Sequence, residues 1–344
     1  MTPEESKQTV YNLTRDDFKP EGAVKWCAGC GDYAILAAIQ TVLVELGGRK
    51  EDIVFVSGIG CSSRFPYYMN TYGFHGLHGR GAAIASGIKI ANPKLQVWHI
   101  TGDGDSMAIG GNHFIHTIRR NIDMNIVIFN NKIYGLTKGQ YSPTSPRGLV
   151  TKSSPEGVIE NPFTPGELVM GSQGTFFARA VDTEPKMMRE VLKAAALHKG
   201  TSVVEILQNC VIFNNQIHAA ITNKETKDDH QIYLEAGKPM IFGKNQDKGL
   251  IFKNNQLRVA TIGEKGVTLD DILVHDPTNP EDMTHYTLVR MGLPDFPVAM
   301  GVIRSCDCND AYDLLLERQM EEAKRKSKIK CMDDLLNSGN VLDL

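Results

Sequence analysis

Four short, almost continuously apolar segments stand out along the first two thirds of the chain. They are IVFVSGIG (53–60), LQVWHITGDGD (95–105), MNIVIFNN (124–131) and TSVVEILQNC (201–210). All four are rich in β-branched residues, as strands that are buried on both faces tend to be. We therefore predict four buried β-strands.

Segments with helical spacing of apolar residues alternate with these strands. The clearest is DYAILAAIQTVLVELG, which ends at Gly47-Gly48, where glycine can adopt a left-handed cap. Further helices are predicted over 81–91, 107–120 and 186–199. Strands that alternate with helices predict an α/β fold with a doubly wound, mainly parallel sheet.

The composition of the chain changes near residue 224. Residues 1–22 are polar and are expected to form an N-terminal arm, whereas 23–223 carry the predicted strands and helices. Residues 224–344 are hydrophilic and rich in turn residues, and they include a charged helical segment at 312–327. We interpret 23–223 as one binding domain and 224–344 as its C-terminal extension.

Charge and hydropathy argue against several classes of protein. The formal net charge of −3 gives no basic excess that would attract a nucleic acid. No apolar segment approaches the roughly 18 residues that a membrane-spanning helix needs. The acidic N-terminus lacks the basic and apolar regions of a secretory signal. We therefore expect a cytoplasmic protein without nucleic-acid or membrane partners.

Polar residues that could bind a ligand or a metal ion follow the predicted strands. Cys61, Asp103, Asn131 and Cys210 come after the first, second, third and fourth strand, respectively. Ligands of doubly wound folds bind beyond the carboxyl ends of the parallel strands. We therefore expect these side chains to lie near one binding site.

The most specific motif is GDGD at 102–105, followed by two asparagines at 130–131. The glycines let the backbone approach a diphosphate closely, and the predicted helix after them would present its N–H groups. The Asp103 carboxylate and the Asn131 amide oxygen are hard ligands for Mg²⁺, and the backbone carbonyl of Ile133 could supply a third. Gly-Asp-Gly alone could be a simple turn, but the asparagine pair at this spacing favours a diphosphate and metal site.

The cysteines allow more than one interpretation. Seven cysteines, an odd number, in a long chain are unlike a disulfide framework. Cys27 and Cys30 form a Cys-x-x-Cys pair, which can bind zinc, bind an iron–sulfur cluster or act as a redox disulfide. With Cys61 and Cys210 they would provide four thiolates for tetrahedral zinc or for a four-iron cluster, although Cys210 could also be a buried core residue.

The pattern GDG…NN resembles the thiamine-diphosphate motif. The longer strings GDGDSMAIGGNHFIHTIRRNIDMNIVIFNN and KIYGLTKGQYSPTSP resemble the β subunit of the 2-oxoacid:ferredoxin oxidoreductases, and the resemblance runs from about residue 20 to 215. It implies a thiamine-diphosphate-binding fold that carries thiamine diphosphate, Mg²⁺ and one [4Fe–4S] cluster. It also implies a partner, either a separate α subunit or a fused αγ chain, in a heterodimer or a dimer of heterodimers.

The implied reaction is the coenzyme A-dependent oxidative decarboxylation of a 2-oxoacid, with electrons passing through the cluster to ferredoxin. The strings AIGGNHFIH and NNKIYGLTKGQ, together with Arg64, look most like members that convert 2-oxoglutarate to succinyl-CoA and CO₂. Pyruvate or a broad range of 2-oxoacids is the alternative substrate. A non-oxidative thiamine-dependent decarboxylase or synthase would share GDG…NN without needing four cysteines, and a zinc-stabilised binding module would leave GDG…NN unexplained.

The resemblance also implies roles for individual residues. It favours Cys27, Cys30, Cys61 and Cys210 as ligands of the [4Fe–4S] cluster. Cys306, Cys308 and Cys331 fall outside the resemblance; the Cys-x-Cys pair could bind a metal, but free thiols are favoured. Arg64 is expected to bind a substrate carboxylate, because arginine pairs with carboxylates through two parallel hydrogen bonds; an exposed loop arginine is the alternative. The expected cofactor contacts are Ile59, Gly60, Cys61, Ser62, His78, Gly79, Gly102, Gly104, Asp105, Gly135, Leu136 and Thr137. Asp105 could either orient the cofactor or cap the following helix.

Overall fold

A central sheet organises the fold. The structure is a computed structural model that describes residues 12–307 and 311–339. In chain order the strands are β1 (Ile53–Ser57), β2 (Tyr72–His75), β3 (Gln96–Gly102), β4 (Met124–Asn130), β5 (Phe176–Val181), β6 (Thr201–Leu207), β7 (Gln231–Leu234), β8 (Ile241–Phe242), β9 (Lys248–Lys253), β10 (Gln256–Thr261) and β11 (Val298–Ser305).

Helices connect and cover these strands. They are α1 (Asp32–Leu46), α2 (Gly81–Ala91), α3 (Asp103–Met107), α4 (Gly111–Arg120), α5 (Pro165–Gly171), α6 (Pro185–Leu197), α7 (Ala219–Thr222), α8 (Lys227–His230), α9 (Thr284–Arg290), α10 (Tyr312–Lys326) and α11 (Met332–Leu336). Short 3₁₀ segments lie at Arg15–Phe18, Lys50–Asp52, Ser62–Tyr68 and Leu269–Asp271. None of the described helices has the length and apolar character that crossing a membrane requires.

The strand order explains how distant parts of the chain meet. Over the described residues the central sheet has eight strands in the order β2-β1-β3-β4-β6-β5-β11-β7. Among the described strand pairs of this central sheet, only β5–β11 is antiparallel. The four strands predicted from sequence, β1, β3, β4 and β6, are consecutive and parallel, so their carboxyl ends lie side by side. The predicted doubly wound, mainly parallel α/β fold is confirmed.

Each face of the sheet buries a separate apolar layer. Alternate residues of a strand point to opposite faces, and Phe55 and Val54 of β1 accordingly belong to different clusters. Phe55 belongs to the same buried cluster as Ile39 of α1 and Val191 of α6. Val54 lies in the cluster that contains Phe114 of α4. Helices on both faces leave the strand ends as the open edge of the sheet.

One predicted helix begins later than expected. The segment 107–120 was expected to be helical throughout, but α4 begins only at Gly111, and Met107 is the last residue of α3, which starts at Asp103 within the GDGD motif. The backbone leaves the helical region at Ala108 (φ −84°, ψ −106°). Gly110 then packs against the carbonyl oxygen of Asp105, which a Cβ at position 110 would approach to 2.3 Å. The helix that starts at Asp103, within the GDGD motif, is therefore only five residues long, and its dipole is correspondingly small.

Strand β5 was missed because its sequence, FFARAV, carries an arginine at its centre. Arg179 is only 4% exposed, and its Nε donates to Oε2 of Glu205 on β6 at 2.7 Å. The guanidinium also donates to the carbonyl oxygens of Ala299 and Val289. A buried charge is tolerated when it is paired and hydrogen-bonded, so this strand is continuous with the core.

The C-terminal part of the chain contributes to the same sheet. β7 and β11 extend the central sheet beyond β5, while β8, β9 and β10 form a small antiparallel sheet. The predicted helix at 312–327 is present as α10. The division at residue 223 stays a prediction, but the sheet continues across it.

Candidate active site

A cavity of about 300 Å³ opens where β1, β3 and β4 end. We call it the strand-end cavity. Its lining includes most of the residues predicted to contact a cofactor or Mg²⁺: Ile59, Gly60, Cys61, Ser62, His78, Gly102, Asp103, Gly104, Asp105, Asn131, Ile133, Gly135, Leu136 and Thr137. Asp32, Phe129, Tyr134 and Gln140 complete it. The fold has thus brought together segments that are more than 100 residues apart in sequence, from Asp32 to Gln140.

Asp103 is a buried carboxylate held in a fixed orientation. It is 2% exposed, and its Oδ2 accepts hydrogen bonds from Ser142 Oγ at 2.5 Å and Thr144 Oγ1 at 2.6 Å. Burial raises its pKa to about 6, although these hydrogen bonds act in the opposite direction. Thr144 also donates to Asn130 Oδ1 at 3.0 Å, so the 142–144 loop joins the ends of β3 and β4.

The two asparagines of the motif have different surroundings. Asn130 Nδ2 donates to Glu205 Oε1 at 2.7 Å, and Asn130 is buried within the sheet. Asn131 lines the strand-end cavity, and its Oδ1 accepts the backbone N–H of Ile133 at 3.1 Å. Lys132, which lies between Asn131 and Ile133, has a φ of +55°, so the chain turns sharply after the asparagine pair. Asp103 and Asn131 thus present hard oxygen ligands to the same space, as Mg²⁺ requires.

Asp105 holds two loops against the end of β3. Its Oδ1 accepts hydrogen bonds from the backbone N–H groups of Ile59 at 3.0 Å and Gly79 at 2.7 Å. His78 Nδ1 lies 2.7 Å from the same oxygen, and Thr101 donates to Oδ2 at 2.9 Å. With both oxygens occupied in this way, Asp105 positions the loops that line the cavity.

Gly104 is required by the ring of Tyr134. A Cβ on Gly104 would lie 2.2 Å from Tyr134 Cε1, and the Tyr134 hydroxyl donates to the Gly104 carbonyl at 3.1 Å. The ring therefore cannot move away without losing its hydrogen bond. The same contact fixes the start of the loop that carries Gly135, Leu136 and Thr137.

Substitution of Gly104 by alanine is expected to destabilise the fold by about 2 kcal/mol, because the new methyl group overpacks against the ring. It should also weaken thiamine diphosphate binding by displacing the 134–137 loop. Thermal unfolding and cofactor titration measure the two effects. Gly87→Ala in α2 is the matched control, since a Cβ there meets nothing within 4 Å. Equal unfolding temperatures and equal cofactor affinities for both variants would contradict this role of Gly104.

A second cavity, of about 180 Å³, adjoins the first. We call it the cysteine cavity, because the four cysteines predicted to bind a cluster all line it: Cys27, Cys30, Cys61 and Cys210. Gly135 keeps space between two of them, since a Cβ there would lie 3.5 Å from Cys210 Sγ and 3.6 Å from Cys61 Sγ. The loop before α1 and the ends of β1 and β6 therefore meet at one place.

The arrangement of these sulfurs differs from that of a site for one ion. Among the described residues, no group of three or more His, Cys, Asp or Glu side chains is arranged to hold a single metal ion. A [4Fe–4S] cluster is larger than one ion and is bound by four cysteines. Its ligands surround a cube, so they lie further apart than the ligands of one zinc ion.

Two of the thiols, those of Cys30 and Cys61, have the raised pKa values expected of buried thiols. Burial, reinforced by the Asp32 carboxylate, raises the pKa of Cys61 to about 12 and raises that of Cys30 as well. A coordinated cation reverses this tendency, because it stabilises the thiolate directly. Binding of a cluster would therefore release the thiol protons.

Asp32 is a site residue that the sequence reasoning missed. It is 1% exposed and lines both cavities, and burial raises its pKa to about 7. Its Oδ2 has no hydrogen-bond partner within the described part of the chain. In the sequence, an aspartate in the first turn of a helix signals only a favourable interaction with the helix dipole.

Of the residues predicted to contact the cofactor or the substrate, Gly79 and Arg64 are not part of the lining of the strand-end cavity. Gly79 donates its backbone N–H to Asp105 Oδ1, which does line it. Arg64 lines the cysteine cavity instead, where its Nη1 donates to the Lys25 carbonyl at 3.2 Å and its guanidinium lies 5.8 Å from the Tyr68 ring centroid.

Cys306 and Cys331 are not among the residues that line either cavity. Cys306 is buried, and its Sγ is 3.7 Å from the Pro277 carbonyl oxygen, whereas Cys331 is exposed. Cys308 lies outside the described residues.

Sequence comparisons agree with this geometry. Residues 58–206 match the family described as thiamine pyrophosphate enzyme, C-terminal TPP binding domain. The chain is 50% identical over 309 residues to the 2-oxoglutarate oxidoreductase subunit KorB of Mycobacterium tuberculosis, covering 90% of this chain and 82% of that protein. It is 49% identical over 198 residues to the β subunit of 2-oxoacid:ferredoxin oxidoreductase 1 of Aeropyrum pernix, covering 58% of this chain and 62% of that subunit.

A solved structure is similar over nearly the whole chain. It is described as the 2-oxoglutarate:ferredoxin oxidoreductase from Magnetococcus marinus with 2-oxoglutarate, coenzyme A and succinyl-CoA bound. The TM-score is 0.76 at 29% sequence identity, covering 97% of this chain and 98% of that chain. The chain therefore belongs to the β subunits of the thiamine-diphosphate-dependent 2-oxoacid:ferredoxin oxidoreductases.

Proposed function

We propose that this chain is the β subunit of a 2-oxoglutarate:ferredoxin oxidoreductase. The enzyme would convert 2-oxoglutarate and coenzyme A to succinyl-CoA and CO₂ while reducing ferredoxin. One observation carries the proposal: the strand-end cavity and the cysteine cavity share five lining residues, Asp32, Cys61, Asn131, Gly135 and Leu136. A thiamine cofactor and an iron–sulfur cluster bound there would be direct neighbours, as oxidation of a 2-oxoacid by single electrons requires.

The strand-end cavity suits thiamine diphosphate with Mg²⁺. Asp103, Asn131 and the backbone carbonyl of Ile133 would hold the metal ion. A Cβ on Gly102 would meet only Ser62 Oγ, at 3.4 Å, so this glycine leaves room for a phosphate group. When bound, thiamine diphosphate supplies the nucleophilic carbon and the electron sink for decarboxylation. The chain's own residues position it and exclude water.

The cysteine cavity suits the [4Fe–4S] cluster. Its loops are tied to one another, because Trp26 Nε1 donates to the Cys61 carbonyl at 2.8 Å and the Gly31 N–H donates to the Asn209 carbonyl at 3.4 Å. Such preorganisation would hold the four thiolates around a cube. Iron–sulfur clusters transfer single electrons, which is what reduction of ferredoxin needs.

The chain would act with a partner subunit. Thiamine enzymes activate their cofactor with a glutamate, yet the described residues that line the strand-end cavity include aspartates and no glutamate. We infer that an α subunit, separate or fused, supplies it and completes the coenzyme A site. The isolated chain is then expected to be inactive.

Arg64 is proposed to bind the distal carboxylate of 2-oxoglutarate from the cysteine-cavity side. We expect Arg64→Ala to raise KM for 2-oxoglutarate about 10- to 100-fold, since a charge-assisted pair is lost. The effect on pyruvate, which lacks that carboxylate, should be small. Viologen reduction by the reconstituted complex measures KM for 2-oxoglutarate and KM for pyruvate. This assay also tests pyruvate as the alternative substrate.

Arg120→Ala is a suitable control, because Arg120 is exposed at the end of α4. If Arg64→Ala left both kcat and KM for 2-oxoglutarate unchanged, Arg64 would serve only to hold Lys25 and Tyr68 in place.

A further inference from the structure

We propose that Gln208 sets the reduction potential of the iron–sulfur cluster by donating a hydrogen bond to the sulfur of Cys30. The inference rests on the proposed function, because it requires the cluster that the four cysteines would bind. Gln208 is a positioning and tuning residue in this proposal and makes no contact with substrate.

Gln208 directly follows β6 and is fully buried. Its Nε2 lies 3.2 Å from Cys30 Sγ and 2.6 Å from the carbonyl oxygen of Asn209. Both hydrogens of the side-chain amide are therefore used. Among the described residues, Gln208 supplies the only side-chain N–H that donates to one of the four cysteine sulfurs, and the backbone of Asp32 also hydrogen-bonds to Cys30.

The orientation of the amide is determined by its surroundings. Rotation by 180° would place the Gln208 carbonyl oxygen against the Asn209 carbonyl oxygen, and two acceptors repel each other. In the observed orientation Oε1 is buried without a hydrogen-bond partner in the part of the chain that the structure describes. Burying the unpaired Oε1 of Gln208 costs free energy, and an apolar side chain at this position would avoid that cost. The presence of a glutamine therefore suggests that its Nε2–H group has a function.

The surrounding loops hold the donor over the sulfur. The Asn209 N–H donates to Asp182 Oδ2 at 2.8 Å, and the Gly31 N–H donates to the Asn209 carbonyl at 3.4 Å. A Cβ on Gly31 would lie 1.9 Å from Asp182 Oδ2 and 3.0 Å from Gln208 Cγ. The glycine after Cys30 thus allows Gln208 and Asp182 to pack directly against this loop.

The electrostatic consequence follows from the charge of the cluster. Reduction adds one negative charge, and hydrogen bonds to the cysteine sulfurs stabilise the more negative state. Gln208 therefore raises the reduction potential.

The test is a redox titration of the complete complex, monitored by electron paramagnetic resonance of the reduced cluster. Gln208→Met has a side chain of similar length without an N–H donor. We expect its ratio of reduced to oxidised cluster at a fixed potential to fall about tenfold, which for a one-electron couple is a shift of about 59 mV to lower potential. Gln216→Met is the matched control, since Gln216 is exposed in the same segment, and it should titrate like the wild type.

Each outcome decides a separate question. A cluster that is retained in Gln208→Met with an unchanged potential would overturn the proposal and leave the proposed function intact. Absence of a cluster in the wild-type complex would overturn the proposed function itself. If Gln208→Met fails to retain the cluster, Gln208→Asn provides the second variant, because its shorter amide cannot reach Cys30. Loss of the cluster in both variants would assign Gln208 to cluster assembly and reject potential tuning.

Discussion

Substitution of Cys210 by alanine is expected to remove the iron–sulfur cluster and to abolish ferredoxin reduction. Cys210 is buried beside Gly135 and Cys61, and it follows the strand that neighbours β4. Without the Cys210 thiolate, one iron of the cluster would lack a protein ligand. Among the described residues, no fifth cysteine that could replace it lines the cavity. We expect iron content near zero and a rate loss of at least about 100-fold. Iron analysis, the visible absorption spectrum and an assay of ferredoxin reduction measure these losses.

Cys306→Ala is the control for this substitution, because Cys306 is also a buried free thiol but lies outside the cysteine cavity. It should keep both iron and activity. If Cys210→Ala retained a full complement of iron, Cys210 would be a core residue and the cluster would need a different set of ligands.

Substitution of Asp103 by asparagine should have the second large effect, on Mg²⁺-dependent binding of thiamine diphosphate. The change preserves the size of the side chain but removes the charge that a hard divalent cation prefers. Loss of residues that merely support a metal ligand typically costs 10- to 100-fold in affinity, so we expect a loss of about 100-fold or more for the ligand itself. Titration of the complex with thiamine diphosphate at several Mg²⁺ concentrations measures it.

Asp16→Asn controls for the change in net charge, because the Asp16 side chain is 80% exposed. An Asp103→Asn complex with wild-type affinity and wild-type Mg²⁺ dependence would show that Asp103 only supports the 142–144 loop.

The segments that build the site were predictable because their patterns are local. The ends of β1, β3, β4 and β6 carry polar residues after apolar runs, and parallel strands necessarily align such ends. Glycine at 104 and aspartate at 103 were identified in the same way, from a motif read along one stretch of chain.

Tertiary contacts decided what the sequence pattern left open. Strand β5 was missed because the charge of Arg179 argues against a buried strand in the sequence alone. In the structure, Glu205 on the neighbouring strand β6 pairs with Arg179 and compensates this charge. Asp105 could be read as a cap or as a cofactor contact, and only the fold shows that it binds the backbones of two separate loops. Asp32 has no motif of its own, since its importance comes from lying between two cavities.

The supporting loop around the metal site illustrates the same limit. Ser142 and Thr144 belong to the string KIYGLTKGQYSPTSP, but hydroxyl residues near proline are common in turns. Their role depends on the buried carboxylate of Asp103, to which both hydroxyl groups donate hydrogen bonds. Asp103 is about 40 residues away in sequence, and only the folded sheet brings it close to them.

We propose that a thiamine site and an iron–sulfur cluster are neighbours in the complex of this chain with its partner. The most direct measurement is the visible absorption spectrum of the anaerobically purified complex, recorded before and after addition of 2-oxoglutarate and coenzyme A. We expect a broad absorption near about 400 nm that bleaches when both are added, since electrons from the substrate reduce the cluster. A colourless protein containing zinc, or an iron-containing protein whose spectrum does not respond to the substrates, would contradict it.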